Sequence, residues 1–455
     1  MHQLFEHQNA IKAVDDFSGL EDFLDSIWKN REKSPYFSAK SEDTSESQRF
    51  LNFLYRNNEI KSNKYVGVIH YNSHKIDLLP KIFYNAQRSY SEAQVSHIHN
   101  HILWWLSYCR KIKFPNYQTA LGEAKSDFFE VLVYLFAKYT HNLLNSSIYL
   151  RYEEVQHELN VVKGRINTPK YISENIRTGR WHKVNCTYDS FELDNEFNRI
   201  VKYVATLLFN ASSSQDNKKL LREILYILDD VSDVKVNAEQ CAAIKFNPMF
   251  GAFETVRDYC HLFLSNSVSF NYKNNLQLFA FLLPMEYVFE DFIYGFISTE
   301  LEEINAKSQR GDIFLDNEKN FALRPDLWIK TESFSCIADT KYKIVYSDSD
   351  DARKGISQAD LYQMLAYAIR FEVKNVRLLY PGTVVNYAGQ SFQISVTDAL
   401  ANNTEVKIEA YQVPIMDATM LNTEYNNTIS ISELFEPTRI ALCERLREVF
   451  RTTIH

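Results

Sequence analysis

Two aspartates and a lysine stand in apolar runs of one short segment, where ionised side chains are costly to bury. Asp326 lies in the run LRPDLWI, Asp339 lies in the run FSCIADTKYKIVY, and Lys341 follows the second aspartate by two positions. The polar residues KTES between the runs predict a β-hairpin. Because side chains alternate between the two faces of a strand, Asp339 and Lys341 should point to the same side.

The register of the predicted hairpin decides whether the two carboxylates meet. A turn centred on Glu332 and Ser333 places Asp326 opposite Asp339, with Cβ atoms about 4.5–5.5 Å apart. Two facing carboxylates repel each other unless a cation lies between them. Oxygen ligands with open positions for water and phosphate are typical of Mg²⁺ sites. A lysine on that face could orient a water or neutralise charge developing on phosphorus. The spacing alone also fits an Asp–Lys ion pair on a solvated strand edge.

The segment before the hairpin predicts a helix that brings further carboxylates. In LLPMEYVFEDFIYGFI the helix should begin at Pro284, since proline is tolerated in the first turn. Glu286 and Glu290 are four residues apart and therefore lie on one helical face.

The segment after the hairpin predicts a second helix with polar residues on one face. The run SQADLYQMLAYAIRF should be capped near Ser357, and Gln363 and Tyr367 are again four residues apart. An apolar strand is expected next, at residues 376–381. The order of helix, two strands, helix and strand predicts a mixed α/β core.

These motifs together resemble a known group of nucleases. The chain contains RPD, then twelve further residues, then DTK, and later YQMLAYA. This order resembles the PD-(D/E)XK nuclease core with the Gln-xxx-Tyr helix of its RecB-like branch. Other segments resemble the McrC family, the nuclease subunit of McrBC-type 5-methylcytosine restriction systems. They are YVGVIHYNSHKIDLLPKIF (65–83), VVKGRI (161–166), CTYDSFELDNEFNRIVKYV (186–204) and FEDFI (289–293). The resemblance covers most of residues 60–440; residues 1–60 and 205–270 have no clear counterpart.

The resemblance implies roles for the residues singled out above. The implied catalytic set is Asp326, Asp339, Lys341, Glu290, Gln363 and Tyr367. Asp326 and Asp339 match the family's metal-binding carboxylates, and the lysine matches its catalytic lysine. Glu290 is the best match to the acidic residue of the first core helix and the third implied Mg²⁺ ligand, with Glu286 a weaker candidate. The glutamine and tyrosine of the accessory helix would touch phosphate or position the site.

Composition and charge limit the class of protein. The chain has 455 residues, 45% hydrophobic residues, and 58 acidic against 50 basic side chains, for a net charge of −8. Proteins that bind DNA tightly on their own usually show a basic balance or stripe. No G-x-x-x-x-G-K-[ST] motif is present, so a motor activity would have to come from a partner. The six cysteines are scattered, and there is neither a signal segment nor a long apolar run, which favours a cytoplasmic protein without a membrane span.

The expected fold class is a multidomain α+β or α/β protein. We expect an N-terminal β-containing, partner-docking region at residues 1–90 and a largely helical middle region at 91–270. The PD-(D/E)XK endonuclease domain, with a mixed sheet, should occupy 271–455. Within 91–270, four segments carry apolar residues at helical spacing.

Two other polar clusters are interpreted as structural. His97, His99 and His101 alternate as metal ligands could in a strand, but the apolar periodicity around them favours a helix. The second cluster, Asp194, Asn195, Asn198 and Arg199, fits a helix start or a buried hydrogen-bond network.

The predicted function is that of a Mg²⁺-dependent DNA endonuclease subunit in an McrBC-like, modification-dependent restriction system. The resemblance implies an McrB-like AAA+ GTPase as partner, which this chain docks on and stimulates and which delivers methylated double-stranded DNA. Two alternatives remain open. One is a non-enzymatic adaptor that retains a nuclease-like fold, against which the complete residue set argues. The other is a stand-alone nuclease, against which the acidic balance argues.

Overall fold

The computed structural model describes thirteen stretches of the chain. They are residues 2–12, 17–30, 50–71, 74–85, 90–110, 128–265, 278–308, 313–330, 335–344, 356–383, 391–398, 404–422 and 430–451.

The described residues contain strands from the N-terminal, middle and C-terminal parts of the chain. They are β1 (His2–Phe5), β2 (Ala10–Lys12), β3 (Leu51–Leu54), β4 (Glu59–Ser62), β5 (Tyr65–Tyr71), β6 (His74–Leu79), β7 (Arg151–Leu159), β8 (Arg165–Ile166), β9 (Val184–Glu192), β10 (Leu278–Pro284), β11 (Asn305–Ser308), β12 (Ile313–Phe314), β13 (Ala322–Leu323), β14 (Leu327–Lys330), β15 (Ser335–Thr340), β16 (Asn375–Thr383), β17 (Ser391–Asp398) and β18 (Thr404–Met416).

The helices lie between these strands. They are α1 (Phe17–Asn30), α2 (Glu92–Tyr108), α3 (Phe128–Ser146), α4 (Glu196–Ala211), α5 (Gln215–Ile227), α6 (Ala238–Ala243), α7 (Ala252–Ser265), α8 (Met285–Glu300), α9 (Gln358–Arg370), α10 (Ile431–Leu434) and α11 (Glu436–Arg451). A short helical turn, Thr168–Lys170, leads into a π-helix at Tyr171–Ile176.

The chain divides into two compact units. The first combines residues 1–131 with 266–455, and the second contains residues 132–265. The expected boundaries at residues 90 and 270 therefore differ from this division, because α2 belongs to the first unit. Residues 1–90 and residues 271–455 were expected to form separate domains, but both lie in the first unit.

The N-terminal sheet explains why both parts of the first unit belong together. Its strand order is β1-β6-β5-β10, with β1 parallel to β6 and β10 antiparallel to β5. Strand β10 pairs along its whole length, from Leu278 opposite Tyr71 to Pro284 opposite Tyr65. Residues that the sequence placed in the C-terminal domain thus complete the N-terminal sheet.

A six-stranded mixed sheet forms the C-terminal core, in the order β11-β14-β15-β16-β18-β17. Strands β14 and β15 form the predicted antiparallel pair, and β15, β16 and β18 are parallel neighbours. Helix α9 covers one face, where Met364 and Ala368 pack with Val376 and Leu378 of β16. The alternation of β16 residues between the two faces of the sheet supplies this apolar layer.

The second unit contains a three-stranded sheet that the sequence did not predict. Its order is β7-β9-β8, so the expectation of a largely helical region at 91–270 is wrong for residues 151–192. Most described residues of β7 are exposed, and hydrophobic alternation, the usual signal for a strand, is missing. Gly164, in the VVKGRI block, has φ +69°, and a Cβ atom there would lie 2.5 Å from Thr187 O and Tyr188 Cβ. Only glycine allows this close approach to β9.

The second polar cluster has the structural role expected of it. Asn195 is the N-cap of α4 and accepts a hydrogen bond from the backbone N–H of Asn198. The Asn198 side chain donates to the carbonyls of Tyr149 and Leu193, both at 2.8 Å. Arg199 pairs with Asp194 at 2.7 Å and holds the pKa of that carboxyl at about 2.

The histidines of α2 are buried in a helix. His101 Nδ1 donates to the carbonyl of His97 at 2.8 Å, while Nε2 accepts from the backbone N–H of Asp417 at 3.3 Å. This pattern requires a neutral ring, and burial lowers the pKa of His101 to about 4. His99 is also buried. Within the described residues no group of three or more His, Cys, Asp or Glu side chains forms a ready-made metal cage.

All six cysteines fall within the described stretches, and each is a free, buried thiol. No helix in the described part of the chain combines the length and the apolar character that crossing a bilayer requires.

Candidate active site

A polar pocket of about 650 Å³ opens where β15 ends beside β16. It receives residues from α8, from the segment before β14, from the end of β15 and from α9. The lining residues include all six predicted site residues, Glu290, Asp326, Asp339, Lys341, Gln363 and Tyr367. Side chains that are up to 77 positions apart in sequence therefore share one cavity.

The hairpin register brings the two aspartates to the same end of their strands. Leu327 pairs with Ala338, and the same register continued by one position sets Asp326 opposite Asp339. This is the predicted pairing, although the turn residues 331–334 lie outside the described stretches. Both carboxylates are buried, Asp339 to 2% relative exposure.

Thr340 holds the first carboxylate in place. Its backbone N–H donates to Asp326 Oδ2 at 2.9 Å, and its hydroxyl donates to the same oxygen at 2.7 Å. The two donors come from one residue of the neighbouring strand, so the orientation of the Asp326 side chain is set by the sheet itself.

Lys341 provides the positive charge beside the aspartates. Its Nζ lies 2.5 Å from Asp339 Oδ2 and 3.9 Å from Asp360 Oδ1, and it donates to Gln363 Oε1 at 3.1 Å. Burial opposes the charged form and is the largest single influence, but the negative charges of Asp339, Asp326 and Asp360 together raise the pKa of Lys341. The lysine is therefore a fixed ammonium group at neutral pH.

A directional hydrogen-bond chain runs from α9 to Lys341. The Tyr367 hydroxyl donates to the carbonyl of Arg324 at 3.2 Å and accepts from Gln363 Nε2 at 2.8 Å. This turns Gln363 Oε1 towards Lys341. Burial, reinforced by the charge of Asp339, raises the pKa of Tyr367, so its hydroxyl stays a donor. Ser357 is the N-cap of α9, as predicted.

The glutamates of α8 complete the acidic lining. Glu290 is buried and Glu286 is exposed, and both line the pocket. Their helix begins at Met285, because Pro284 is both the last residue of β10 and the helix N-cap. Glu290 is thus the more buried of the two glutamates.

The polar residues of this pocket that the sequence missed include Thr340, Lys343 and Asp360. Lys343 Nζ lies 2.7 Å from Asp360 Oδ2. Burial tends to raise the pKa of Asp360, but hydrogen bonds from Lys343 and Ser357 outweigh it and the pKa is lowered. Asp360 stands three residues after Ser357, and that spacing in sequence predicts only a helix cap. Its place in the pocket lining depends on where α9 packs, which the sequence spacing does not show.

The charges of the lining favour a cation. Five carboxylates and three basic side chains line the pocket, which leaves a formal charge of −2. Mg²⁺ prefers hard oxygen ligands and commonly uses one or two protein carboxylates, with water and phosphate completing its shell. A three-residue cage is therefore not required, and Asp326 and Asp339 with Glu290 in the same lining suit this ion.

The fold and the pocket define an α+β protein with an acidic, lysine-containing site at the end of a mixed sheet. A family model described as McrBC 5-methylcytosine restriction system component matches residues 60–381. This match spans more than half of the chain and includes every predicted site residue. The chain belongs to this family of McrBC restriction system components.

Two solved structures are similar to this chain. One similar chain comes from a refined half-complex of the tetradecameric assembly of Thermococcus gammatolerans McrB AAA+ hexamers with bound McrC. It has a TM-score of 0.65 and 17% sequence identity, and the alignment covers 97% of this chain and 99% of that one. A chain of the Thermococcus gammatolerans McrBC complex has a TM-score of 0.48 and 19% identity, with 66% and 88% covered. No curated protein matches.

Proposed function

We propose that this chain is the nuclease subunit of an McrBC-type restriction system and cuts DNA with a PD-(D/E)XK site. The observation that carries the proposal is the convergence of Asp326, Asp339, Lys341 and Gln363 in one acidic pocket. The sequence spacing predicts the same residues, and all of them lie within the matched range 60–381. Hydrolysis of a phosphodiester is the chemistry that this set of groups supports.

The proposed site assigns a task to each side chain. Mg²⁺ held by Asp326 and Asp339, with Glu290, would supply an acidic water and charge neutralisation at the phosphate. Lys341 offers an ammonium group to the anionic oxygens of the transition state. Gln363 fixes that ammonium at 3.1 Å, and Thr340 fixes the Asp326 carboxylate. The protein thus contributes a preorganised frame, which reduces the reorganisation needed during reaction.

The proposed partner is an McrB-like AAA+ GTPase that delivers methylated double-stranded DNA. The similar Thermococcus gammatolerans chain comes from an assembly of McrB AAA+ hexamers with bound McrC. Residues 1–90 remain the predicted docking region, and the second unit adds large exposed apolar side chains that support a further docking surface. The ring centres of Tyr152 on β7 and Phe191 on β9 lie 4.8 Å apart, and these side chains are 69% and 52% exposed. Trp181 is 70% exposed.

Trp181→Ala should weaken docking and the stimulation of GTP hydrolysis. A tryptophan at the centre of an interface is often worth about 2 kcal/mol, roughly a thirtyfold change in affinity. GTPase stimulation would be titrated against increasing amounts of this chain. Tyr226→Ala is the matched control, because Tyr226 is an 83% exposed aromatic residue on α5 of the same unit. Equal stimulation curves for wild type and Trp181→Ala would place the docking surface elsewhere.

The partner requirement follows from charge. A chain with 58 acidic and 50 basic side chains should repel the DNA duplex, since non-specific affinity comes mainly from Lys and Arg. We expect little cutting by the chain alone with Mg²⁺ at physiological salt, and efficient cutting once the partner and GTP raise the local DNA concentration.

The test is cleavage of methylated plasmid across a salt series, with and without partner. Efficient, salt-resistant cutting without partner would favour a stand-alone nuclease. Normal stimulation of the partner with no cutting under any condition would favour the non-enzymatic adaptor.

A further inference from the structure

A carboxyl group from the first strand lies buried next to the segment that carries Lys341. Glu6 follows β1 and is fully buried. Its backbone N–H donates to Leu79 at 3.1 Å, and its Oε2 accepts from the backbone N–H of Lys81, also at 3.1 Å. These bonds tie Glu6 to the end of β6, so its position is set by the N-terminal sheet.

Tyr342 meets this carboxyl from the other side. The hydroxyl of Tyr342 interacts with the Glu6 carboxyl, and the Nζ of Lys81 lies 4.4 Å from the centre of the Tyr342 ring. Among the described residues, neither Glu6 Oε1 nor the Tyr342 hydroxyl has a partner in ordinary hydrogen-bond geometry. Leaving two buried polar atoms unsatisfied costs free energy, so each is the available partner of the other.

Tyr342 is the neighbour of Lys341 in a short segment held by two backbone hydrogen bonds. The backbone N–H of Lys341 donates to Leu379 at 2.8 Å, and the N–H of Lys343 donates to Lys341 at 2.7 Å. Between these two bonds the Tyr342 ring is buried against Phe289 of α8, with the ring centres 5.8 Å apart. A shift of the Tyr342 side chain must therefore alter the short backbone segment from which Lys341 enters the pocket.

We propose that Glu6 is a positioning residue for the pocket. It acts through Tyr342 to set the placement of Lys341, and it makes cleavage depend on the N-terminal sheet. The inference rests on the proposed nuclease function and extends it, because it links Glu6, which follows the first strand, to Lys341, 335 residues later in the sequence.

The charge state of Glu6 provides a signature for this role. Burial raises its pKa to about 7, while Lys81 and the Tyr342 hydroxyl oppose that rise and Glu286 adds to it. His7, next in the chain, has a lowered pKa because of burial and the charge of Lys81, with Glu286 opposing. Glu6 therefore changes its charge near neutral pH, where cleavage is measured.

The test compares Glu6→Gln and Tyr342→Phe with wild type, each with the AAA+ partner, over pH 6–8.5. For both variants we expect kcat to fall about tenfold with little change in KM, since misplacement of a reacting group lowers the chemical step. Glu6→Gln should also lack the inflection in kcat near pH 7. Asp77→Asn is the control, because Asp77 is a buried carboxyl of β6 that is paired with Lys75 instead.

Thermal unfolding gives a readout that does not depend on activity. A carboxyl with a raised pKa in the folded state stabilises the fold at low pH, and this contribution is lost as pH rises to about 7. The melting temperature of Glu6→Gln should therefore rise relative to that of wild type between pH 5 and pH 8.

The outcomes separate the inference from the function on which it rests. No cleavage by wild type with its partner would overturn the proposed function and this inference with it. Wild-type cleavage with an unchanged kcat profile in Glu6→Gln would overturn the inference alone, even if the melting temperature shifts, because a purely structural role predicts that result.

Discussion

Replacing Asp339 by asparagine is expected to slow DNA cleavage at least about a thousandfold in the presence of Mg²⁺ and the AAA+ partner. A bound metal supplies several kcal/mol of charge stabilisation, and each 1.36 kcal/mol is a factor of ten in rate. Asparagine keeps the shape of the side chain but removes the charge that the metal needs. It also removes the charge that holds Lys341, 2.5 Å away. Single-turnover cleavage of plasmid DNA measures the effect.

The fold should survive this substitution. Lys341 remains beside the carboxylates of Asp326 and Asp360, so the pocket keeps its own cation. The control is Asp77→Asn, which neutralises an equally buried aspartate whose lysine, Lys75, is also two positions away, at 3.2 Å. That variant should cut DNA like wild type. Undiminished cleavage by a folded Asp339→Asn chain would exclude Asp339 from the site.

Lys341→Ala is expected to separate cutting from stimulation of the partner. Loss of one preorganised charge at the transition state costs about 10²–10³ in rate, so cleavage should nearly disappear. Stimulation of GTP hydrolysis should stay near the wild-type level, because the exposed apolar residues proposed for docking belong to the second unit and Lys341 to the first. Both activities are measured on the same preparation.

Lys75→Ala serves as the matched control for this variant. Lys75 and Asp77 form an Asp–Lys pair in the N-terminal sheet, and the two residues have the same two-residue spacing as Asp339 and Lys341. The substitution removes the lysine of that pair, which is far in sequence from the pocket. Both activities should be retained. If Lys341→Ala is folded yet loses GTPase stimulation as fully as cleavage, docking and cutting do not reside in different units.

The mixed charge of the pocket explains how the site can be stable before a metal binds. Asp326, Asp339 and Asp360 would repel one another as bare carboxylates, but Lys341 and Lys343 lie among them. Lys341 thus supplies a positive charge directly beside Asp339. A bound metal would add positive charge to this pocket, and Lys341 would keep its place beside the aspartates.

Most of the candidate site could be predicted because local rules set it. The number of residues between Asp326 and Asp339 fixes their register once both runs are read as strands of one hairpin. Period-two alternation places Lys341 beside Asp339, and four-residue spacing puts Gln363 and Tyr367 on one face of α9. The Ser357 cap is equally local. None of these features depends on how distant segments pack.

Distant pairing could not be predicted in the same way. Strand β10 completes a sheet begun by residues at the N-terminus, and β18 lies between β16 and β17. A hydrophobic pattern tells which face of a strand is buried but not which strand lies beside it. The sheet at 151–192 was missed for a different reason, since most described residues of β7 are exposed and this strand lacks an apolar face.

The sequence by itself determined the chemical groups, their register and the family to which the chain belongs. Only the tertiary structure decided that Thr340 holds Asp326, that Asp360 enters the pocket and that Glu6 lies against Tyr342. Register and helical faces follow from the geometry of neighbouring peptide units, which short segments carry within themselves. Contacts between distant segments depend on how whole layers pack to bury their apolar faces, and no short segment contains that information.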